Sequence, residues 1–320
     1  MKTSAVIGAV LLLAASGTAS HAAVFRVTST RDTGDGTLRS AINDANAEPG
    51  STIHIALGAS AEIFVESALP SLEAEGTRLD GGGVTIRQAD GCMRPSGKRG
   101  CDGIDVTGAG VVVRDIRVSG FLFDGIAVRG RDARDVRIEN VQSIDNMDDG
   151  VGVSNGAGPV TVDHCLLMGN GFRTKGKGLL VFDDSKATLR DSLVIGDRDG
   201  VTVTRGSVAR LESVLVAGNW DKGVGVSAGS LSGRDVSILA SGRDEERAPN
   251  GPDSKPAPNQ DGLRVGLGGD AEIEHCRIAG NGDTGVVVLD QAKVQLKDCV
   301  IEANHGRPTA VAAEAVLERR

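Results

Sequence analysis

Apolar residues recur along this chain in a short phrase that appears eight times between residues 102 and 288. Each copy has a polar residue and a glycine followed by two apolar residues one position apart, as in Asp124-Gly125-Ile126-x-Val128. The glycines lie 22, 25, 28, 22, 23, 39 and 23 residues apart. A unit of this length cannot bury its apolar face alone, so the repeats must stack on one another.

A second apolar phrase follows in each repeat and ends at a polar residue, most often asparagine. Apolar residues lie eight and often five positions before it, as Ile138 and Val141 do before Asn146. Such alternation in short runs rich in valine and isoleucine is typical of strands. Each repeat is therefore predicted to be one coil of about three strands, stacked on the next at roughly 4.8 Å. Glycine suits a corner with positive φ, and asparagine can pair with its equivalent one coil away.

The predicted fold is all-β, a single-stranded parallel β-helix forming one domain over residues 23–320. Residues 24–57 are expected to cap it, 58–102 to form irregular early coils and 103–306 to form regular coils. Residues 307–320 could form a closing helix or a last strand, and the sequence leaves this choice open.

A short helix is predicted within the N-terminal cap. Thr37 is a plausible N-cap, and four apolar residues fall on one helical face. These residues are Leu38, Ala41, Ile42 and Ala45. Such a helix would cover the open end of the first coil, which otherwise exposes core and unpaired strand edges.

Residues 1–22 have the pattern of a secretory signal peptide. Lys2 supplies the positive end, Ala5 to Ala15 the apolar stretch, and Ser20-His21-Ala22 a small-x-small cleavage site. No other segment is apolar enough to span a membrane. We therefore expect a secreted or periplasmic protein, and a monomer. The net charge of −8 argues against nucleic acid and anionic membranes as partners.

The five cysteines fall into two groups in this oxidising setting. Cys92 and Cys101 flank a polar segment, and a disulfide between them is expected to staple it. Cys165, Cys276 and Cys299 fall on an inward position and are interpreted as buried thiols. Because Cys276 and Cys299 lie on consecutive coils, a core disulfide between them is the open alternative.

An insertion rich in proline and charge, residues 243–260, lengthens one repeat. Its composition is typical of an exposed loop. Two interpretations remain open, a loop that carries function on a rigid scaffold and a surface insertion that the fold merely tolerates.

Two N-terminal segments resemble secreted proteins of the right-handed parallel β-helix, or pectin lyase-like, superfamily. One is Val27-Thr28-Ser29-Thr30-x-Asp32-x-Gly34-x-Gly36-Thr37-Leu38-Arg39, and the other runs from Thr77 to Ile86 through Gly81-Gly82-Gly83. Pectate lyases and bacterial β-helix surface proteins both use such an opening. The resemblance implies the right-handed fold but not one activity, since this architecture hosts lyases, hydrolases, epimerases and adhesins.

Two local resemblances concern chemistry. Val160-Thr161-Val162-Asp163-His164 resembles the pectate lyase strand that ends in Asp-His and helps to bind Ca²⁺, although the usual tryptophan is missing. The chain also contains no Arg-x-Pro-x-x-Arg segment, which carries the catalytic arginine in that family. Asn146-x-Asp148-Asp149-Gly150 faintly resembles a polygalacturonase acid cluster, and we interpret it instead as corner chemistry.

The residue seven positions before each corner is predicted to point outward, forming what we call the outward row. Along the stack it consists of Arg114, Glu139, Asp163, Arg190, Glu212, Arg234, Glu274 and Lys297. A parallel row two positions earlier contains Arg137 and Arg210. Alternating charges in such rows pair across strands and block aggregation, which is the structural interpretation.

The functional interpretation places a Ca²⁺ site on the outward row. Glu139 and Asp163 form an adjacent acidic pair that would hold the ion. Arg190 or Arg210 would act as the catalytic base. Arg137, His164 and Trp220 are the candidate substrate-binding residues. The alternatives are that His164 is an exposed corner residue and that Trp220 stacks internally under a loop.

The sequence thus leaves two hypotheses. The first is an enzyme that acts on an acidic polysaccharide, by Ca²⁺-assisted β-elimination. The second is a non-catalytic β-helix that binds a glycan, the cell envelope or a protein. Because aromatic residues make up 2% of the chain, few platforms for stacking on sugars are available, which weakens the enzyme hypothesis.

Overall fold

The computed structural model describes residues 22–93, 100–171, 175–242 and 260–320. The predicted signal peptide lies outside these ranges except for Ala22, and the insertion 243–260 lies outside them except for Gln260. No helix in the described ranges is long and apolar enough to cross a membrane.

The N-terminal part of the chain contains one helix and five strands. In chain order they are β1 (Val24–Val27), α1 (Leu38–Ala47), β2 (Thr52–Ile55), β3 (Glu62–Ser67), β4 (Arg78–Asp80) and β5 (Thr85–Met93). The side chain of Thr37 caps α1 by accepting a hydrogen bond from the backbone N–H of Ser40 at 3.3 Å. The buried face of α1 consists of Leu38, Ala41, Ile42 and Ala45. This confirms the predicted capping helix, which packs against β1 and β2.

The described residues after Met93 contain twenty-two further strands. The first eleven are β6 (Ile104–Val106), β7 (Val112–Ser119), β8 (Ile126–Arg129), β9 (Val136–Ile144), β10 (Val151–Ser154), β11 (Val160–Asp163), β12 (Leu166–Met168), β13 (Lys177–Val181), β14 (Lys186–Arg190), β15 (Leu193–Ile195) and β16 (Asp199–Thr204). The rest are β17 (Val208–Ala217), β18 (Val224–Ser227), β19 (Ser230–Leu239), β20 (Leu263–Gly266), β21 (Asp270–Glu274), β22 (Arg277–Ala279), β23 (Val286–Val288), β24 (Lys293–Lys297), β25 (Val300–Glu302), β26 (Thr309–Val311) and β27 (Val316–Arg319). The C-terminal segment therefore forms strands rather than a helix.

The strands form two parallel sheets along the stack. The nine-stranded sheet runs from β6 to β26 and contains the glycine phrases in register, so that Val151 pairs with Ile126 and Leu179. The eighteen-stranded sheet contains the second phrases and bends within each coil. At the bend one residue has positive φ, for example Asn140 at 51° and His164 at 52°. We call the part before this bend the first leg and the part after it the second leg.

The interior is a continuous column of aliphatic side chains. Ile138, Val162, Leu189 and Leu211 lie on successive first-leg strands and are fully buried. Each such side chain contributes roughly 1.5–3 kcal/mol by leaving water. This stacking confirms the predicted parallel β-helix and fixes which residues of neighbouring coils face outward together.

The corner between the second leg and the nine-stranded sheet is held by a polar ladder. Oδ1 of Asn170 accepts hydrogen bonds from the backbone N–H and side-chain amide of Asn146, at 3.1 and 3.0 Å. Oδ1 of Asp197 accepts the same pair from Asn170, at 2.7 and 2.9 Å. The backbone N–H of Asp197 in turn donates to Asn219 Oδ1 at 3.0 Å. The recurrent asparagine thus links coils, as the sequence predicts.

Four of the cysteines form two disulfides. Cys92 is bonded to Cys101, and Cys276 is bonded to Cys299 on the next coil. The structure therefore selects the disulfide alternative for the second pair. Cys165 is a buried free thiol, and burial is the main cause that raises its pKa to about 12.

Candidate functional site

The outward row lies in register on the first leg. Glu139 pairs with Asp163, and Asp163 pairs with Arg190 on the following strand. Arg137 lies beside Thr161 in the parallel row, and Arg210 lies beside Thr188. The structure therefore brings together the charged residues that the sequence places on this face.

Asp163 uses both carboxylate oxygens within this face. Oδ2 lies 2.7 Å from Arg190 Nη2, and Oδ1 lies 2.8 Å from His164 Nδ1. The hydrogen bond from Arg190, with a smaller contribution from His164, lowers the pKa of Asp163. A Ca²⁺ ion at Glu139 and Asp163 would have to displace a guanidinium that already neutralises the carboxylate. The metal role of this pair stays a prediction, and the geometry does not favour it.

Arg190 and Arg210, the two candidate bases, are engaged in ion pairs. The bond to Asp163 raises the pKa of Arg190, so its guanidinium holds its proton more firmly than an unpaired one. Arg210 forms an ion pair with Glu212 on the same strand. Since a base must be able to lose its proton, this environment makes both arginines poorer candidates for the predicted role.

The residues predicted to bind substrate lie on three different parts of the coil. Arg137 is on the outer face of the first leg, and His164 is at the bend, where it lies close to Asp163 and Asp191. Trp220 follows Asn219 of the polar ladder, and the guanidinium carbon of Arg198 lies 4.7 Å from the centroid of its ring. The tryptophan is therefore at the corner that leads into the nine-stranded sheet.

A second group of charged residues lies at the start of the nine-stranded sheet. Oδ1 of Asp102 accepts from the backbone N–H of Asp124 at 3.2 Å, and Oδ1 of Asp124 accepts from that of Asp149 at 3.2 Å. Oδ1 of Asp149 accepts from the backbone N–H of Lys177 at 2.7 Å. These bonds support the corner interpretation of the Asp-Gly phrases, and they stack three aspartates on consecutive coils.

Arg129 ties the lower part of this stack together. Its guanidinium nitrogens lie 3.1 Å from Asp102, 3.1 Å from Asp105 and 3.2 Å from Asp124. Burial opposes its charge, but the hydrogen bond and charges of these aspartates raise the pKa of Arg129 above its ordinary value. Arg129 is therefore a permanent cation. It offsets the negative charge of the lower part of the stack more than that of the upper part.

The upper part contains a compact set of carboxylates, which we call the aspartate cluster. Asp124, Asp148 and Asp149 each present an oxygen within 4.8 Å of the other two. Burial first, and the charge of Asp102 second, raise the pKa of Asp124 to about 7. Burial, followed by the charge of Asp124, raises the pKa of Asp149 well above its ordinary value. Carboxylates this close require a proton or a cation between them.

Two glycines allow the cluster to form. A Cβ at Gly152, on the outer face of β10, would lie 2.8 Å from Asp124 Oδ2. A Cβ at Gly176 would lie 2.3 Å from the backbone carbonyl of Asp148. Only a residue without a side chain lets the neighbouring coils approach this closely.

The outer face of the nine-stranded sheet continues upward from the cluster as a row of mostly small residues. In register this row consists of Asp105, Ala127, Gly152, Leu180, Thr202 and Gly225. Lys222 lies over Gly225 and pairs with Asp199 at 2.7 Å. Asp105, Leu180 and Thr202 are partly exposed in this row, whereas Ala127, Gly152 and Gly225 are buried.

Sequence reasoning identified the outward row but not the aspartate cluster. Asp124 and Asp149 belong to the Asp-Gly phrase, which the corner role explains. Asp148 stands two positions before the glycine, where aspartate recurs only at Asp221 and Asp283 among the eight repeats. The available signal was the run of aspartates at one position in three successive repeats, followed by the adjacent pair Asp148-Asp149.

Comparison with known proteins gives a family and a set of similar folds. The family model described as "Right handed beta helix region" matches residues 102–241 and 175–316. No curated protein matches the sequence.

Three solved structures illustrate the likeness. The periplasmic alginate epimerase AlgG, solved as a point mutant, is 14% identical with a TM-score of 0.56, over 85% of this chain and 61% of its own. The A-module of the mannuronan C-5 epimerase AlgE4 from Azotobacter vinelandii is 15% identical with a TM-score of 0.56, over 91% and 98%. Pectate lyase Pel9A is 13% identical with a TM-score of 0.54, over 92% and 77%. At such identities the likeness concerns the fold, and this chain spans less than two thirds of AlgG.

Proposed function

Because this chain belongs to the right-handed β-helix family, we propose that it is a secreted or periplasmic enzyme that cleaves an acidic polysaccharide by β-elimination. The reaction centre is the aspartate cluster on the nine-stranded sheet rather than the outward row. The proposal draws support from the solved folds named above, which include a pectate lyase and two epimerases of uronate polymers. The two disulfides fit an oxidising compartment.

The observation that carries the proposal is the close approach of three carboxylates. Asp124, Asp148 and Asp149 supply hard oxygen donors within 4.8 Å of one another, which is the donor chemistry that Ca²⁺ prefers. These residues would hold the ion. Asp163, His164 and Asp191 form a second group of donors within 4.8 Å of one another in the described residues. We place the reaction centre at the aspartate cluster because all three of its donors are carboxylates, which Ca²⁺ prefers to imidazole nitrogen.

Bound Ca²⁺ would neutralise a uronate carboxylate of the substrate and make the proton on the adjacent carbon easier to remove. A water molecule would accept that proton, the glycosidic bond on the next carbon would break to leave a double bond, and the departing oxygen would take a proton from solvent. Bound Ca²⁺ would also reduce the repulsion between the protein and its substrate. A chain with a net charge of −8 repels a polyanion unless a cation bridges them.

The other residues of the face bind and orient the polymer. Lys177 follows Asp149 in the same row, one coil up, and its charge suits the carboxylate of a neighbouring sugar. Arg129 keeps Asp124 in place through their 3.2 Å contact. Leu180 and Thr202, which are partly exposed on the outer face of the sheet, would contact the chain of sugars.

The experiment is a screen of the purified protein against pectate, alginate and glycosaminoglycans. The absorbance of unsaturated products is followed with Ca²⁺ and with a chelator. We expect Ca²⁺-dependent product from one of these polymers, loss of that product in Asp148→Asn, and near-normal rates in the matched variant Asp163→Asn. Asp148 is the variant of choice because its side chain is partly exposed.

Two results would contradict parts of this proposal. Full activity in Asp148→Asn together with loss in Asp163→Asn would move the reaction centre to the outward row. Folded protein that forms no unsaturated product from any of the polymers, with no calcium-dependent shift in melting temperature, would refute the lyase.

Non-catalytic glycan binding is the second candidate function. The observation that favours it is the stacked pair of Trp220 and Arg198 at the ladder corner, since an aromatic ring beside a cation is suited to sugar contact. Binding of a polymer without turnover, weakened by Trp220→Ala and unaffected by Asp148→Asn, would support this candidate instead.

A further inference from the structure

A cavity of about 650 Å³ opens at the bend between the first and second legs in the N-terminal coils. We call it the bend cavity. One wall belongs to two loops, residues 56–61 between β2 and β3 and residues 81–84 between β4 and β5. The floor belongs to the next two coils, where the bend is a single residue of positive φ within a continuous strand, Asp115 in β7 and Asn140 in β9. The longer loops therefore enclose a space beside the shorter bends.

The glycines of the second loop fix the shape of the bend cavity. A Cβ at Gly81 would lie 2.6 Å from the backbone oxygen of Asp115, so only glycine lets the loop approach the next coil this closely. The backbone N–H of Gly83 donates to the same oxygen at 2.7 Å. Gly82 and Gly83 have φ of 60° and 85°, a region that favours glycine. The loop is thus anchored to the coil that forms the floor, and the cavity is built into the fold.

The size and lining of the bend cavity suit a small polar ligand. Its volume lies within the range of about 300–1,000 Å³ that is typical of small-molecule sites. Hydroxyl groups of Ser60 and Thr85 and side-chain amides of Asn140 and Gln142 line it, and none of the described lining residues is aromatic. Most small-molecule pockets are lined mainly by apolar side chains. A lining that both donates and accepts hydrogen bonds is instead suited to a ligand rich in hydroxyl groups, such as a sugar.

Arg117 presents an oriented guanidinium to the bend cavity. Its Nε and Nη2 donate to Gln142 Oε1 at 3.0 and 2.7 Å. No other side-chain hydrogen bond and no ion pair engages Arg117 in the part of the chain that the structure describes. Gln142 therefore holds the guanidinium in place and leaves one N–H on each Nη free at its outer end. These two N–H groups form the fork that matches the two oxygens of a carboxylate.

The two carboxylates that line the bend cavity have cationic neighbours, whereas the partner of Arg117 is neutral. Glu62 lies 3.5 Å from Nη1 of Arg87, and Asp115 lies 3.6 Å from Nε of Arg114. Arg87 and Arg114 are not among the residues that line the cavity. The guanidinium of Arg117 is therefore the charge that a ligand can neutralise. A sugar that carries a carboxylate is suited both to this cation and to the hydroxyl and amide groups around it.

We propose that the bend cavity is a second binding site, for an acidic sugar. The carboxylate of the sugar binds to the free fork of Arg117, and its hydroxyl groups bind to Gln142 Nε2 and to the hydroxyls of Ser60 and Thr85. Along each coil the second leg separates the bend from the aspartate cluster, so the two sites are distinct. Binding here requires no Ca²⁺, because Arg117 supplies the positive charge. The bend cavity therefore holds an acidic glycan whether or not the aspartate cluster cleaves one.

The test is isothermal titration calorimetry of the purified protein in EDTA, which removes Ca²⁺ from the aspartate cluster. The probes are trigalacturonate, trimannuronate and a hyaluronan tetrasaccharide, with cellotriose as the neutral comparison. We expect at least one acidic probe to bind and cellotriose not to bind. Arg117→Gln should weaken that binding at least about tenfold, because it removes charge-assisted hydrogen bonds. Arg277→Gln is the matched control and should bind like the wild type. Arg277 is exposed in the same row of the second leg, but it is paired with Glu302 at 2.9 Å.

Three results would overturn the proposal. The first is a folded wild-type protein that binds none of the acidic probes. The second is binding that Arg117→Gln leaves unchanged, and the third is cellotriose binding as tight as that of the acidic probes. Circular dichroism melts verify folding, and Arg117 is exposed, so its replacement leaves the core intact. The lyase screen with Ca²⁺ measures the aspartate cluster and the titration in EDTA measures the bend cavity, so the failure of one site is distinguishable from that of the other.

Discussion

Two aspartates on different sides of the coil each lie next to a carboxylate of the coil below. Asp163, on the first leg, lies next to Glu139. Asp124, beside the nine-stranded sheet, lies next to Asp102. Arg190 lowers the pKa of Asp163. Burial and Asp102 raise the pKa of Asp124 to about 7, even though Arg129 lies 3.2 Å away. The same repeat therefore gives a neutralised ion pair on one side and a cluster in need of a proton or cation on the other.

This difference indicates which part of the coil is suited to a catalytic or metal-binding role. On the exposed row, ion pairs such as Asp163–Arg190 neutralise neighbouring charges, and pairs of this kind add little to stability. A corner that packs aspartates under the next coil removes them from water, and their pKa values shift into the range useful for binding and proton transfer. Five predictions test the comparison, from the largest expected effect to the smallest.

Replacement of Asp124 by asparagine should have the largest effect. The amide oxygen can still accept from the backbone N–H of Asp149, so the corner survives, but one charged ligand of the cluster is lost. We expect kcat/KM to fall by about 1,000-fold, or about 4 kcal/mol, on the polymer that the screen identifies. Initial rates and a thermal melt measure this, and a normal rate in the folded variant would contradict the assigned site.

Asp197→Asn should stabilise the protein at high pH. Burial is the main cause that raises the pKa of Asp197 to about 8, whereas the unfolded chain loses this proton near pH 4. Between these values the folded state binds one more proton, so the free energy of unfolding falls with rising pH and is constant above about pH 8. We expect the two proteins to be equally stable near pH 4 and the variant to gain about 1.4 kcal/mol over the wild type for each pH unit between about 4 and 8. Urea unfolding of both proteins between pH 4 and pH 8 is the measurement. If the free energies of unfolding of the variant and the wild type changed in parallel with pH, Asp197 would not be protonated in the folded state.

Removal of a ladder amide should cost about 2 kcal/mol. Asn170→Ala deprives both Asn146 and Asp197 of buried hydrogen-bond partners. Gln142→Ala is the matched control, because Gln142 accepts hydrogen bonds from Arg117 at the exposed surface. Urea unfolding of both variants measures the difference, and equal losses would show that the ladder adds no more than a surface contact.

Activity should rise with pH up to about 7. The proton that burial keeps on Asp124 must leave before the cluster can hold Ca²⁺, so the rate at limiting Ca²⁺ should increase roughly tenfold per pH unit below that value. Calcium titrations monitored by melting temperature at pH 6 and pH 7 check this directly. Equal apparent affinities would mean that the cluster does not compete for protons.

Asp163→Asn should have the smallest effect, less than about 1 kcal/mol, as for other exposed ion pairs. The sign of its pH dependence is opposite to that of Asp197, since Arg190 lowers the pKa of Asp163. The contribution is present above the ordinary pKa of aspartate, near 4, and is lost as the pH falls further. Acid unfolding of the variant and the wild type should therefore differ only slightly, and a large gap would reveal a structural role for the outward row.

The repeat made much of the fold predictable. The apolar spacing around Ile138 and Val162 fixed which residues face inward, and the registers of both sheets followed. The helix that begins after Thr37 was predictable from its cap and apolar face. The C-terminal strands were not predictable from the sequence. An alanine-rich segment favours a strand only when the edge of the last coil is available to pair with it.

The site was predictable only in part. The neighbours of Asp163 on the outward row follow from counting positions, since a parallel register preserves them. The neighbours of Asp148 cannot be found by counting positions, because Asp148 lies at a corner whose path depends on the close approach of Gly176. The roles of Glu139, Asp163, Arg190 and Arg210 stay predictions that the variants above will test.

By itself the sequence determined the winding of the chain, because periodic apolar and corner residues specify stacking without reference to distant contacts. It also determined which charges stand side by side on the first leg. Only the tertiary structure decided which carboxylates lose contact with water, since burial at Asp124 and Asp149 depends on the coil that packs above them. The chemistry of an aspartate depends on that environment, and no local pattern records it.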